Sequence, residues 1–93
     1  EQILPYQFTT SSPYPNPFNP SVNIDIMIPL DRLITLSVLD LKGKEVEVIS
    51  KNKIFSKGKN KITWHSKSNS SGIYFFKVQD NFSTTIKKIV LLK

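Results

Sequence analysis

Three features of this 93-residue sequence predict an all-β fold. Apolar positions repeat every second residue over short stretches, as where Val22, Ile24, Ile26 and Ile28 alternate with Asn23, Asp25 and Met27. Such a period of two belongs to a half-buried strand. Turn-forming residues recur about every 8–12 residues, the spacing of a sandwich. No stretch carries an apolar stripe at helical spacing. Together they predict an immunoglobulin-like antiparallel β-sandwich of about seven strands.

Residues 1–21 hold Pro5, Pro13, Pro15, Pro17 and Pro20 among Tyr6, Phe8, Tyr14 and Phe18. Proline fixes φ, removes a donor and pushes its predecessor toward extended geometry. The segment is therefore extended, with tight turns, and is neither helix nor central strand. Residues 1–12 are expected as a linker and 13–93 as the folded domain. Tyr14 and Phe18 should pack over the sandwich end, and Asn16 and Asn19 should cap turns between the prolines.

The first clear strand is 22–28, stopped by Pro29, with a turn at Leu30-Asp31-Arg32. In 34–39, Ile34, Leu36 and Val38 alternate with Thr35, Ser37 and Leu39 up to Asp40. Lys42-Gly43-Lys44 makes a tight connection, since glycine tolerates positive φ. A short third strand is expected at 46–49. Residues 51–60 are polar apart from Ile54 and Phe55, with a turn at Gly58. Ile62 and Trp64 mark a strand at 61–65, and Trp64 is the expected core anchor. A Ser/Asn/Lys loop closes on Gly72. Tyr74, Phe76 and Val78 then alternate with Ile73 and Phe75, the strongest strand signal in the chain. After a turn at 79–81, the last strand is expected over 82–92, with Ile86, Val90 and Leu92 on one face and Ile89 and Leu91 on the other.

Thirteen Lys+Arg oppose seven Asp+Glu, a net charge of +6, and all the cations but Arg32 are lysine. A basic domain suits nucleic acid, an acidic polymer or an anionic membrane. The favoured reading is a solvated lysine surface that protects strand edges, because nucleic-acid readers lean on the arginine fork. No nucleic-acid partner is expected. No apolar run approaches the roughly 18–20 residues of a membrane helix. Residues 1–5 lack the form of a signal peptide, so an exported protein would carry that signal elsewhere, or this chain is a piece of something longer.

The absence of cysteine excludes a disulfide scaffold, a zinc ribbon and a thiol nucleophile. The one histidine, His65, should point to solvent opposite Trp64, and no metal site or cofactor is expected. Asp25, Asp31, Asp40 and Asp80 are placed at strand exits or turns, where aspartate accepts from backbone N–H groups. No nucleophile elbow or glycine-rich phosphate loop is present. No catalytic residue is assigned, and the chain is not expected to be an enzyme. Two binding readings follow from the residues. One is a carbohydrate-binding or adhesive accessory module of a secreted hydrolase, with Tyr6, Tyr14, Phe18 or Trp64 as stacking platforms. The other is a domain recognised by another protein through its strand edges.

Three ordered stretches favour the second reading. They are Tyr14-Pro15-Asn16-Pro17-Phe18-Asn19-Pro20-Ser21; Leu36-Ser37-Val38-Leu39-Asp40-Leu41-Lys42-Gly43-Lys44-Glu45-Val46; and Ser71-Gly72-Ile73-Tyr74-Phe75-Phe76-Lys77-Val78, followed by Thr85-Ile86-Lys87-Lys88-Ile89-Val90-Leu91-Leu92-Lys93. With the tryptophan of Ile62-Thr63-Trp64, this set resembles the C-terminal sorting domain of type IX secretion cargo from the Bacteroidetes and their relatives, over roughly residues 12–93. The loop after Trp64 is shorter than in many relatives and lacks their glycine-rich turn, and Leu39 stands where tyrosine is common.

The resemblance implies an immunoglobulin-like tail that follows a larger cargo domain. Such cargo crosses the periplasm, is recognised by the outer-membrane translocon, and is secreted or held at the cell surface. It implies as partners that translocon and a sortase-like peptidase, which in many members removes the domain. The expected removal site lies in or before residues 1–12. Gly72, Tyr74, Lys87, Lys88, Leu92 and Lys93 are the candidate recognition residues. Beside that stand plainer roles, with turn geometry for Gly72 and edge protection for the lysines.

Overall fold

The computed structural model describes residues 7–93. Tyr6, Pro5 and the first half of the expected linker lie outside the described residues. The elements are β1 (Thr9–Thr10), β2 (Ser21–Ile28), β3 (Arg32–Leu39), β4 (Glu45–Phe55), β5 (Gly58–His65), β6 (Gly72–Gln79) and β7 (Thr84–Leu91). They form two antiparallel sheets, ordered β1-β2-β5 and β4-β3-β6-β7. The all-β, seven-strand expectation holds.

The core follows from the alternation. β2 sends Val22, Ile24, Ile26 and Ile28 inward, β3 sends Ile34, Leu36 and Val38, β6 sends Tyr74, Phe76 and Val78, and β7 sends Ile89 and Leu91. Phe8, Phe18, Phe55 and Trp64 complete it. The β-branched residues suit these strands because their restricted χ1 packs well on a pleated surface.

Several elements differ from expectation: β1 and the buried Phe8 fall within the residues expected as linker, β3 starts at Arg32 in place of 34, and three further strands change extent. β4 runs on to Phe55 instead of stopping at 49. It is an edge strand with register shifts opposite β3, and its exposed residues 51–54 cover no core, so the apolar alternation fades while backbone pairing continues. Asn52 takes φ 48° there, with its N–H donating to Thr35 Oγ1 at 3.0 Å; asparagine tolerates this left-handed conformation better than most residues. β5 starts at Gly58 instead of 61. β7 starts at Thr84 instead of 82 because Asp80 Oδ1 accepts from the N–H groups of Phe82 (2.8 Å) and Ser83 (2.7 Å), which folds them into a turn.

The β3–β4 connection behaves as read. Gly43 has φ 83° and donates its N–H to Asp40 C=O at 2.9 Å, while Asp40 Oδ1 accepts from Lys42 and Lys44 N–H. Asp31 Oδ1 likewise accepts from Lys57 N–H. Asp25 is a correction. It sits within β2, where it accepts from the Tyr14 hydroxyl at 2.9 Å and lies 3.7 Å from Lys59 Nζ. It replaces a turn role with cross-strand ties, because the outer face of this sheet is solvated.

Candidate recognition surface

The last strand lies at an edge of the four-stranded sheet, and the proline-rich segment decides how much of that edge is open. Phe18 N–H donates to Val90 C=O at 2.8 Å, and Phe18 C=O accepts from Leu92 N–H at 3.0 Å. Two residues earlier the Asn16 side chain continues the pattern. Its Nδ2 donates to Lys88 C=O (3.0 Å) and its Oδ1 accepts from Val90 N–H (2.9 Å). The primary amide carries the donor and acceptor of a peptide group, so Asn16 pairs with β7 as a strand would. This corrects the expected turn-capping role. Pro15 and Pro17 lack N–H groups, so the segment supplies part of the pairing from a side chain.

Beneath this clamp, Phe18 is buried and meets the Trp64 ring at 5.8 Å between centroids, tilted by 57°. Trp64 in turn meets Tyr74 at 5.9 Å and 58°. These are the tilted geometries that aromatic quadrupoles favour. The polar ends are satisfied, since Trp64 Nε1 donates to Glu47 Oε1 at 2.8 Å and the Tyr74 hydroxyl donates to Ser70 C=O at 2.7 Å. Trp64 and Phe18 are therefore core residues. Tyr14 is partly exposed, with its hydroxyl tied to Asp25; that hydrogen bond, then local desolvation and the carboxylate's charge, raise its pKa above the ordinary tyrosine value.

The six candidate recognition residues fall into two groups. Gly72 and Tyr74 open β6, Gly72 paired with Leu91 and Tyr74 with Ile89. Gly72 has φ 156°, and a Cβ placed there would meet nothing within 4 Å, so backbone conformation and not space explains the glycine. Tyr74 turns inward under Trp64. The other four share β7 and the residues just beyond it. Lys87 is half-buried, Lys88 is exposed, and Leu92 and Lys93 are exposed past the strand end, where Lys93 N–H donates to Ser71 Oγ at 2.9 Å.

The opposite end of the sandwich is closed by charge. Arg32 Nη1 donates to Asp80 Oδ2 at 3.0 Å with both side chains largely buried. Burial pushes the Asp80 carboxyl up, but hydrogen bonds from Phe82 and Ser83 N–H, Arg32 and the Ser83 hydroxyl outweigh it and hold the group below the usual carboxylate range. Leu30, Leu33 and Phe82 line an open cleft around this pair. His65 is exposed, with Nδ1 2.7 Å from Ser21 Oγ. Among the described residues no three His, Asp or Glu side chains gather as a metal site would require, and no helix is long and apolar enough to cross a membrane.

Sequence reading missed Asn16, Glu47 and the Arg32–Asp80 pair as partners. The prolines around Asn16 were a usable signal, because a segment poor in backbone donors must pair through its amides. Glu47 and Arg32 carried none, since the partner of Glu47 is set by how the two sheets stack and that of Arg32 by β3 lying beside β6 in one sheet.

No curated protein matches the sequence. Among solved structures, the fold is similar to dimeric latent PorU from Porphyromonas gingivalis, with a TM-score of 0.65 at 17% identity over 92% of this chain. The chain spans 9% of that protein's length. The family model for the secretion system C-terminal sorting domain matches residues 12–92, so the chain belongs to this type IX secretion family, whose generally non-catalytic tails mark proteins for export to the cell surface or outside the cell.

Proposed function

We propose that this chain is a non-catalytic address domain that the outer-membrane translocon grips at the end of β7, with the cargo joined ahead of its proline-rich segment. The observation that carries this reading is the contrast at Leu91. Leu91 is fully buried, whereas Leu92 and Lys93 immediately beyond it are exposed. A translocon serving unrelated cargoes needs a constant shape, and a small domain with its own core supplies one.

Lys87, Lys88, Leu92 and Lys93 form the recognition group in this reading. Gly72 and Tyr74 act through it by setting the start of β6 against β7. A sortase-like peptidase would cut in or before residues 1–12, ahead of the clamp at Asn16. The burial of Trp64 and Phe18 takes two stacking platforms away from the carbohydrate-binding alternative.

The test is a reporter fused to residues 1–93 in a host that carries the type IX machinery. Deleting Leu92 and Lys93 removes two peripheral backbone bonds, to Phe18 C=O and Ser71 Oγ, and leaves the core intact. The expected result is loss of export with a cooperative unfolding transition retained. Export at the level of the full chain would overturn the terminal-residue mechanism.

A further inference from the structure

The backbone groups of β7 that face away from β6 belong to the even-numbered residues. The Lys88 C=O, the Val90 N–H and C=O and the Leu92 N–H meet Asn16 and Phe18. By the same alternation, Thr84 and Ile86 direct N–H and C=O outward, and among the described residues no strand lies beside β7 on that side. The edge is thus divided. Its second half is closed by the proline-rich segment, and its first half is open.

An open edge invites strand addition. Proteins usually blunt such edges with charge, and Lys87 and Lys88 do so only at the closed boundary. At the centre of the open half stands Ile86, 53% exposed, and in the turn that leads into the strand lies Phe82, 82% exposed. Apolar side chains at an unpaired edge offer contact to an incoming strand, with the two lysines at one limit. An acceptable partner would place an apolar side chain opposite Ile86 and carboxylates opposite Lys87 and Lys88, since directly opposed side chains on a sheet face interact most strongly.

We propose that residues 84–88 of β7 are a β-augmentation site, taking an extended, acidic-flanked strand of the translocon whose register is fixed by the Asn16 amide. The proposal rests on the targeting reading above and names the backbone that reading would use. Asn16 acts as the stop. It occupies the Lys88 carbonyl and the Val90 amide, so an added strand cannot slide toward Leu92. The exposed terminal residues and the open edge are then two separate contacts on one strand.

Ile86→Pro tests it. Proline is tolerated on an edge strand where its missing N–H faces solvent, and the bonds from Thr85 and Lys87 toward β6 remain. In the reporter fusion, the expected result is loss of export with the unfolding transition preserved. Hydrogen exchange on the unmodified chain gives a second readout, with purified translocon as the probe. The Thr84 and Ile86 amides should become protected, while those of Val90 and Leu92, already bonded within the domain, should not change. Normal export of Ile86→Pro, or unchanged exchange at both amides, overturns the augmentation site. If deletion of Leu92 and Lys93 still blocks export in that case, the targeting reading stands without it. If the whole domain can be deleted without loss of export, the targeting reading itself falls. Protection of the two amides in the chain alone, together with a dimeric mass, would assign the edge to a second copy and also overturn the proposal.

Discussion

The two ends of the sandwich are closed by different physics. At the end where β7 finishes, Phe18, Trp64 and Tyr74 stack in a tilted series, and each polar tip finds a single partner. At the end where β6 turns into β7, an arginine and an aspartate pair over a cleft rimmed by exposed Leu30 and Phe82. The aromatic end draws on apolar burial, which is largely indifferent to pH and holds the leading segment onto the last strand. The charged end depends on ionisation and orders a turn. The strand carrying the candidate recognition residues is therefore anchored hydrophobically where it ends and electrostatically where it begins.

Replacing the tryptophan should break this arrangement most severely. Trp64→Ala removes the central ring of the series and leaves Glu47 without its donor, at a cost of about 3–5 kcal/mol. Thermal unfolding should show a large drop in midpoint, or no cooperative transition. A fall of only a degree or two would mean that the aromatic end does not hold the fold.

Asp80→Asn should cost less, about 2 kcal/mol at neutral pH, because it removes a charge and keeps an acceptor. The pH dependence distinguishes it from the first variant. The folded-state pKa of Asp80 is lowered relative to an ordinary carboxyl. Its contribution is therefore complete above the unfolded-state pKa of roughly 4 and is lost as pH falls through the lower folded value. Unfolding curves of the native chain and Asp80→Asn should converge in acid, whereas the gap to Trp64→Ala should persist. A gap to Asp80→Asn that is equally wide in acid would remove the electrostatic account of that end.

The same contrast governs what the sequence made visible. The apolar alternation of β2, β3, β6 and β7 announced the core because burial imposes a period of two, and Trp64 stood out as the single tryptophan, set on an alternating strand. Asp40 and Asp80 were readable as turn residues because their partners lie within four positions. The partners of Arg32, Glu47 and Asn16 lie 48, 17 and 72 residues away, and they depend on strand order and sheet stacking, which no local pattern encodes. β4 beyond Ile49 was hidden for a related reason, since an edge strand with no core beneath it keeps its backbone pairing and loses its apolar signature. Of the candidate site, the lysines and the terminal residues could be named from the motifs, but the division of the β7 edge could not.

Asn16→Ala is the mildest change and examines that division directly. It deletes the two side-chain bonds to β7 and leaves Phe18 buried and its own two backbone bonds in place. Water can reach the freed Lys88 carbonyl and Val90 amide at the edge, so the loss should be about 1 kcal/mol, which corresponds to a midpoint shift of about 4–8 °C for a domain of this size. Exchange should localise the effect better than melting. The Val90 amide, bonded to Asn16 Oδ1, should exchange much faster, and the Leu92 amide, bonded to Phe18 C=O, should change little. Equal acceleration at both would show that Asn16 merely positions Phe18. Acceleration confined to Val90 would show that a single side-chain amide closes this part of the edge, a role that the backbone of a proline-flanked segment cannot fill.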